Sequence, residues 1–452
     1  TLQYLYLQKP VTLIVIICLL SVLPWIGMGD FSTKGEPREA AVAISMLESG
    51  NWVLPQTYAD EFAFKPPMAH WLMAICSLPG GAVTEFTSRL PSAVSFVVLM
   101  GFVLVFFGRR IARFHEAFIA TLLLITSVEI HRAAMTTRVD MLLTAFMVLG
   151  LFQLYRWEEK LELKGLPIMI PLLLGCAVLT KGPVGIVLPL FVFTVYLLML
   201  GKYAYSTIFK VVFYAGLSSI FLPSLWYIAA WQQGGAAFID LVLAENFGRF
   251  FHLSAEAIPY ELGHENGVWY NFVTLAAGFA PWTLFFFFSL FGVNKISCPE
   301  RPFKQFLAGI WQHIRGMEKV RLFSLVALVC ILFFYSIPSS KRSVYLMPAY
   351  PFISLFLAQY ALYITEYRTR CTRFFEAVLT ALVTVLLIGC LLVMVGAIDP
   401  VRMVEAYTQK ESVLYAVQLV ADRLAHPSLL TWCIVDVNVL ALLTLYYQLF
   451  KK

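Results

Sequence analysis

Long runs of apolar residues, separated by short polar stretches, recur along this chain. A helix needs about 20 apolar residues to cross the hydrocarbon core of a bilayer, and many of the runs approach that length. The pattern predicts about twelve membrane helices. They lie near residues 11–29, 91–108, 117–131, 139–155, 167–179, 184–200, 211–231, 271–292, 322–337, 346–364, 374–396 and 428–449. The chain is therefore predicted to be an all-α polytopic membrane protein.

The first apolar run could be mistaken for a secretory signal. No small-residue cleavage pattern follows it, and Gly29-Asp30 leads directly into a charged loop, so we interpret the run as the first membrane helix. Because the sequence does not begin with Met, we expect further residues to precede Thr1.

Few polar segments are long enough to form soluble structure. With the N-terminus inside, they are outer loops at 30–90, 232–270 and 397–427 and a cytoplasmic loop at 293–321. In the first outer loop, Arg38 to Gly50 has the pattern of an amphipathic helix, and Met68 to Leu78 that of an apolar one. Both helices are expected to lie along the membrane surface. Gly50 is suited to end the first helix, and Pro66-Pro67 separates the second from the preceding residues.

Composition and charge agree with membrane insertion. Of 452 residues, 60% are hydrophobic and only 13% are charged, too few for an ordinary water-facing surface. Basic residues beside membrane helices stay in the cytoplasm, which orients the chain with its N-terminus inside. That orientation places the following basic groups inside: Arg109, Arg110 and Arg113; Lys202 and Lys210; Arg368, Arg370 and Arg373; Lys451 and Lys452. The net charge of +6 mostly reflects this bias and gives no argument for nucleic-acid binding.

The remaining charges cluster at the outer ends of the predicted helices, where an ionisable group needs a partner or a function. The clustered residues are Asp30, Glu36, Arg38, Lys65, Arg138, Asp140, Lys181, Glu245, Arg249, Lys341 and Arg342. The adjacent Lys341 and Arg342 oppose the positive-inside tendency, and anion binding is one reason to tolerate them there. The simpler interpretations are a water-boundary carboxylate for Asp30, a structural pair for Arg138 and Asp140, and a neutralised turn at Lys341. The eight cysteines have no CxxC spacing and are interpreted as packing residues.

Eight motifs in order resemble the polyprenyl-phosphate-sugar-dependent GT-C glycosyltransferases, in the branch of the lipid A aminoarabinose transferases and the protein O-mannosyltransferases. The resemblance covers roughly residues 10–365. The motifs are Gly29-Asp30 with Gly35-Glu36-Pro37-Arg38; Phe64-Lys65-Pro66-Pro67 with His70-Trp71; Arg89-Leu90-Pro91-Ser92-Ala93; Arg138 with Asp140-Met141-Leu142-Leu143; Thr180-Lys181-Gly182-Pro183; Glu245-Asn246 with Arg249-Phe250; Trp269-Tyr270 with Gly278-Phe279-Ala280-Pro281-Trp282; and Lys341 with Tyr345 and Pro348.

The resemblance implies a GT-C fold and a catalytic module at 1–365, followed by C-terminal membrane helices at 366–452. It also implies a polyprenyl-phosphate sugar donor, used on the periplasmic side of a bacterial inner membrane. Asp30 matches the proposed catalytic acid, and Asp140 the second acidic position. The positions around the lipid phosphate are matched by Lys65, Lys181, Arg249, Lys341 or Arg342, and Tyr345. We expect the substrates to contact Arg38, Arg138, Glu245, Asn246, His264, Trp269 and Tyr270.

The chain departs from the family beside Lys65. Several relatives have an acidic residue immediately before the matching lysine, implicated in binding a metal, whereas this chain has Phe64. No cofactor is therefore certain, and His264 and Glu265 are the remaining candidates for a divalent metal ion. Beyond residue 365 no motif matches, so recognition of the acceptor is the least transferable property.

The residues also fit sugar transfer independently of the resemblance. A lipid phosphate leaves C1 of a sugar readily when cations surround it. The acceptor hydroxyl needs a base, for which Asp30 is the first candidate and Glu36 or Asp140 the second. We expect inversion at C1 and an acceptor that is lipid A, a protein or a glycan. The alternative is a transporter or flippase for a lipid-linked anion, against which the charges lie on one face rather than at mid-membrane.

Overall fold

A computed structural model describes residues 2–451, apart from 32, 34, 58–60, 64, 245–265, 268, 292–308, 310, 339, 368 and 410. The described residues form helices joined by loops, with one isolated bridge between Gln56 and Phe62. Contacts divide the chain into two compact units. The first comprises residues 1–28, 35–280 and 297–359, and the second comprises 29–34, 281–296 and 360–452. The predicted division at residue 365 stays a prediction.

The first unit contains most of the helices. They are α1 (Leu2–Gln8), α2 (Pro10–Val22), α3 (Gly35–Ser49), α4 (Met68–Ser77), α5 (Glu85–Gly108), α6 (Phe114–Ile125), α7 (Val128–Ala134), α8 (Asp140–Leu161), α9 (Met169–Lys181), α10 (Val184–Leu200), α11 (Tyr205–Leu243), α12 (Trp269–Gly278) and α14 (Lys319–Ser336). Short 3-10 helices lie at Leu78–Gly80 and Ser343–Ala349.

The second unit contains α13 (Trp282–Phe291), and α15 (Tyr350–Tyr367) runs from the first unit into it. The unit continues with α16 (Thr369–Met394), α17 (Pro400–Glu405), α18 (Glu411–Ala425) and α19 (Leu429–Lys451). Its small apolar core includes Phe285, Ile364 and Phe375. The ring of Phe285 packs edge-on against Phe375 at 4.8 Å, whereas Phe287 is half exposed. Phe285 belongs to a run of four phenylalanines and fills this core.

The predicted membrane segments all contain helices. Within the described residues, six helices are long and apolar enough to cross a membrane, or seven if the bent pair of α6 and α7 is one span. Shorter apolar helices occupy three further predicted segments, α2, α9 and α10. These lengths and compositions identify a multi-pass membrane protein.

The two surface helices of the first outer loop are present as predicted. Helix α3 ends where Gly50 adopts a positive φ of 69°, a conformation that costs glycine little, and its N–H donates to the carbonyl of Met46. Helix α4 begins directly after Pro66-Pro67. The two helices pack together and onto the start of α8 through buried Val42, Met73 and Leu142. This packing places Glu39 of α3 beside Lys65, which precedes α4.

Two tryptophans hold the loop that follows α3 against the first unit. The indole N–H of Trp71 donates to the carbonyl of Trp52 at 2.6 Å, and that of Trp226 to the carbonyl of Val53 at 2.7 Å. The side-chain oxygen of Asn51 accepts from the backbone N–H groups of Val53 and Leu54. The loop is therefore tied to α4 and α11.

Candidate functional site

Four predicted site residues from distant parts of the sequence meet in the first unit. Asp140 begins α8 and Lys181 ends α9, and the Lys181 ammonium donates a hydrogen bond to the Asp140 carboxylate. The same ammonium lies 4.4 Å from the centre of the Tyr345 ring, close enough for a cation–π interaction. The charge of Lys65 acts on Asp140 as well. Lys65, Asp140, Lys181 and Tyr345 therefore form one cluster, which we call the lysine cluster.

Glu39 and His70 extend this cluster on the side of Lys65. The Lys65 ammonium donates to Oε1 of Glu39, and His70 Nε2 lies 2.9 Å from Oε2 of the same carboxylate. Both Glu39 and His70 are buried, and Arg38 approaches Glu39 to 3.6 Å. Burial raises the pKa of the Glu39 carboxyl, but Lys65 and His70 outweigh that effect and hold the pKa well below its usual range. Glu39 is thus a buried carboxylate that stays ionised.

Glu36 has a different environment from Asp140. It is fully buried, and its Oε1 accepts from Arg89 Nε at 3.0 Å and from the backbone N–H of Thr137 at 3.0 Å. Arg89 also donates to the carbonyl of Ile26. These contacts join α3, α5 and the segment before α8, and they favour a structural role for Glu36 over the predicted catalytic one.

Arg138 lies against the start of α3. A Cβ at Gly35 would lie against the Arg138 guanidinium, so a larger residue there would require the arginine side chain to shift. Arg138 Nε is buried and has no hydrogen-bond partner among the described residues, while the charge of the side chain acts on Asp140. The arginine is therefore beside the lysine cluster without being bound to a described carboxylate.

Lys341 and Arg342, the adjacent cations just before the 3-10 helix Ser343–Ala349, are held differently. Lys341 is buried, and its ammonium donates to the carbonyls of Pro338 at 2.6 Å and Asn266 at 3.1 Å. Arg342 is partly exposed at the start of the 3-10 helix that carries Tyr345. Glu129 supports this 3-10 helix by accepting from the Ser343 hydroxyl at 2.9 Å and from Arg132 at 2.8 Å. Lys341 is committed to the backbone, which leaves Arg342 as the more accessible cation.

Asp30 lies in the second unit. Its side chain is exposed and lines a pocket of about 260 Å³ together with Leu419, Asp422, Arg423 and His426. The pocket brings the first outer loop together with α18, a helix that no motif singled out. The structure thus places Asp30 among residues that the sequence analysis did not connect with it.

Other predicted residues are less informative. Trp269 begins α12 with 78% of its surface exposed, and Tyr270 beside it is partly exposed. The candidates Glu245, Asn246, Arg249, His264 and Glu265 lie outside the described residues. Within the part of the chain that the structure describes, no group of three or more His, Cys, Asp or Glu side chains is arranged to hold a metal ion.

Sequence reasoning missed Glu39, His70, Arg89 and Glu129 as site or support residues. Arg89 and His70 stood within quoted motifs but were given no role. Glu39 had one available signal, because it is a carboxylate on the apolar side of an amphipathic helix. Such a group needs a buried cation.

Comparison with known proteins supports the predicted resemblance. Residues 64–228 match the family model described as dolichyl-phosphate-mannose-protein mannosyltransferase. An uncharacterised protein from Aquifex aeolicus (strain VF5) is 27% identical over 358 residues, 78% of this chain and 64% of that protein. The undecaprenyl phosphate-alpha-4-amino-4-deoxy-L-arabinose arabinosyl transferase 2 of Proteus mirabilis (strain HI4320) is 23% identical over 347 residues. That match covers 75% of this chain and 56% of the transferase, so the chain spans less than two thirds of either relative.

Solved structures show the same fold. The crystal structure of ArnT from Cupriavidus metallidurans bound to undecaprenyl phosphate superposes with a TM-score of 0.67 at 18% identity, covering 97% of this chain and 73% of ArnT. The apo structure of that protein gives a TM-score of 0.64 at 19% identity, covering 93% and 75%. Together with its apolar helices, these relatives identify the chain as a multi-pass inner-membrane protein. The resemblance to the aminoarabinose transferase and protein O-mannosyltransferase branch is confirmed, and the chain has the fold of ArnT, a GT-C fold.

Proposed function

We propose that this protein is an integral membrane glycosyltransferase that moves a sugar from a polyprenyl-phosphate donor to a hydroxyl or phosphate of an acceptor. The observation that carries the proposal is the lysine cluster, in which residues 65, 140, 181 and 345 meet at one place in the first unit. The relatives support the donor class, because their names specify undecaprenyl phosphate-linked sugars.

The cations of the cluster would bind the donor phosphate. Lys65 and Lys181 have side chains about one fifth exposed, at 20% and 23%, so a ligand can reach both. Each lysine is balanced by a carboxylate when no donor is present, and the donor phosphate gains a second negative charge as it leaves C1, which these cations would stabilise. Arg342 is the better third contact than Lys341, because Lys341 already donates to two backbone carbonyls. Stabilising the leaving phosphate lowers the barrier to its departure from C1.

Asp140 is the carboxylate best supported as the base. It touches Lys181, and binding of the phosphate by that lysine would weaken the ion pair and leave the Asp140 carboxylate freer to accept the proton of the acceptor hydroxyl. Asp30 is the second candidate, because it is exposed and lines a pocket. Glu36 ranks third because it is fully buried and its Oε1 already accepts hydrogen bonds from Arg89 and Thr137.

The reaction would be a single displacement. The acceptor oxygen attacks C1, the bond from C1 to the phosphate oxygen breaks, and the polyprenyl phosphate leaves with its electron pair while the base takes the hydroxyl proton. One displacement inverts the configuration at C1. The charge bias of the loops supports a site on the periplasmic side of the membrane. Lipid A, a protein or a glycan could supply the acceptor group.

A transfer assay tests this function. Purified full-length protein in lipid is mixed with radiolabelled polyprenyl-phosphate sugars, including the aminoarabinose donor, and with a crude envelope extract. Wild type is compared with Asp140→Asn, Asp30→Asn, Lys181→Ala and, as a matched control, Lys164→Ala, which removes an exposed lysine from another loop.

We expect wild type and Lys164→Ala to move label from donor to acceptor. Loss of transfer in Asp140→Asn with donor binding retained would support Asp140 as the base, and the same result confined to Asp30→Asn would transfer the role to Asp30. Donor binding without transfer by wild type, accompanied by movement of the donor across the bilayer, would replace the proposal with a flippase.

A further inference from the structure

Glu39, which binds Lys65, is itself bound by His70. Glu39 Oε1 accepts from the Lys65 ammonium, while His70 Nε2 lies 2.9 Å from Glu39 Oε2. An ionised carboxylate only accepts hydrogen bonds, so the imidazole donates its Nε2–H to Glu39. Glu39 is 3% exposed and His70 1%, so bulk solvent does not reach either partner. Both oxygens of the carboxylate are therefore fixed by side chains.

This arrangement addresses a weakness of lysine as a phosphate ligand. The ammonium sits on a flexible four-carbon stem and has no fixed donor geometry. Lys65 directly precedes Pro66-Pro67, which restricts the backbone but not the side chain. The carboxylate of Glu39 limits where the ammonium can lie, and His70 limits where the carboxylate can lie. The two lysines of the cluster differ in this respect, because Lys181 is instead positioned by Asp140 and the Tyr345 ring.

We propose that Glu39 and His70 are positioning residues that hold the Lys65 ammonium in place for the phosphate of a polyprenyl-phosphate donor. The inference rests on the proposed function and deepens it, because it assigns roles to two residues that touch neither donor nor acceptor. Among the residues that the structure describes, the charged and titratable groups that face Glu39 are Lys65 and His70, with Arg38 at 3.6 Å. Lys65 is also attracted by Asp140, so the Glu39 contact opposes its displacement toward that carboxylate.

A small pocket lies beside Glu39, His70 and Lys65. It is lined by Arg38, Glu39, Val42, Thr57, Ala63, Lys65 and His70. His70 Nδ1 is buried and has no hydrogen-bond partner among the described residues. If His70 served only to pack α4, it would not need to contact the carboxylate that binds Lys65.

A double-mutant cycle tests the inference. Binding of polyprenyl phosphate and the KM and kcat for a polyprenyl-phosphate sugar are measured for wild type, Glu39→Gln, Lys65→Ala and the double variant. Glu48→Gln makes the same chemical change at an exposed position of the same helix and serves as the control. We expect Glu39→Gln to weaken donor binding about tenfold, as for loss of a charged hydrogen bond. The effect should fall mainly on KM, and the double variant should bind no worse than Lys65→Ala alone.

His70 is tested by a conservative and a non-conservative change. His70→Gln keeps a side-chain N–H for Glu39 and should retain most donor affinity, whereas His70→Phe should lose as much as Glu39→Gln. Thermal unfolding and gel filtration of every variant identify those that fail to fold. If Glu39→Gln does not fold, the cycle is run with His70→Phe in its place.

Three results would overturn the inference. One is a loss of affinity in the double variant equal to the product of the two single losses, since Glu39 would then act independently of Lys65. Another is an equal loss of kcat in His70→Gln and His70→Phe while the KM for the donor stays unchanged. The third is a wild-type protein that neither binds polyprenyl phosphate nor transfers sugar, which rejects the proposed function itself and is distinguishable from the other two.

Discussion

The carboxylates of the first unit differ in how far their cationic partners can be reached from outside. Glu36 is fully buried and Arg89 has a side chain only 7% exposed, so that pair is closed to ligands. Asp140 is equally buried in practice, but Lys181 keeps 23% of its side chain exposed. A closed pair contributes to the fold, whereas a pair with one reachable cation can exchange its carboxylate for a phosphate. This contrast supports the proposal that Asp140 belongs to the site and that Glu36 supports the fold.

The ring of Tyr345 should contribute to donor binding through Lys181. The ammonium lies 4.4 Å from the ring centre, and such contacts are worth about 0.5–2 kcal/mol. Tyr345→Phe keeps the ring and should leave the affinity for polyprenyl phosphate within about threefold of wild type if the ring face is the main contribution. Tyr345→Leu removes the ring and should weaken binding about fivefold or more. Titration of both variants with polyprenyl phosphate measures the difference, and equal losses would show that the hydroxyl, not the ring, is what matters.

Removing Arg89 should destabilise the protein strongly. Arg89→Met leaves Glu36 buried without its cation, and breaking a buried pair on one side costs about 3–5 kcal/mol. Arg402→Met is the control, because Arg402 pairs with Asp399 while 86% of its side chain is exposed, and exposed pairs contribute about 1 kcal/mol or less. Thermal unfolding in one detergent compares the two variants. A similar small decrease in both would contradict the structural role given to the Glu36 pair.

The sequence predicted the members of the lysine cluster better than their supports. Lys65, Asp140 and Lys181 stood out because a charge at the end of an apolar helix is unusual in a membrane protein. Glu36 was a second candidate for the base, and its partner, Arg89, lies 53 residues away, so spacing alone does not reveal the pair. Glu39 lies within an amphipathic helix where exposed carboxylates are ordinary. Glu39 lies on the apolar side of that helix and Glu48 is exposed, but the pattern does not reveal which cation meets the buried carboxylate.

At the scale of the elements, the position of the helices was more predictable than their continuity. The segment 117–131 was expected to be one span, but α6 and α7 meet at an angle of 65°. The hydroxyls of Thr126 and Ser127 donate to the carbonyls of Leu122 and Leu124, and the backbone N–H of Val128 donates to the carbonyl of Ala280. The last of these bonds joins residues far apart in the sequence. Apolar periodicity therefore could not predict the break.

The break inside α11 depends on a glycine that no other residue replaces well. Gly235 has φ 58° and ψ −141°, a conformation that an L side chain strains. Gly235→Ala should therefore lower stability by about 1–3 kcal/mol. Gly389→Ala is the control, because a Cβ there meets no described atom within 4 Å and alanine favours the interior of α16. Thermal unfolding compares the two, and an unchanged Gly235→Ala protein would mean that α11 straightens at no cost.

For the whole molecule, the distribution of charge determines which end of the helices meets which compartment. Basic residues cluster after the helices that end at Gly108 and Leu200, and the lysine cluster lies at the opposite ends of the predicted spans. The basic residues predicted to be cytoplasmic also form ion pairs, such as Arg110 with Glu159, which joins neighbouring helices. The fold itself does not reveal the orientation, because an inverted molecule would have the same internal contacts. The basic residues of the loops supply that information.

This orientation makes a direct prediction about chemical access from each side of the membrane. Two variants each carry one cysteine at an exposed position, in a background without the eight native cysteines. Gln56→Cys lies in the first outer loop, which also contains Lys65, and Lys202→Cys lies in a predicted cytoplasmic loop. A membrane-impermeant maleimide should label Gln56→Cys in intact spheroplasts, because the first outer loop is predicted to face the periplasm. Lys202→Cys should react only after the membrane is permeabilised, and retained donor binding would show that each protein is folded. Labelling in the reverse order would place the lysine cluster on the cytoplasmic side, where a polyprenyl-phosphate donor would have to be used before it crosses the membrane.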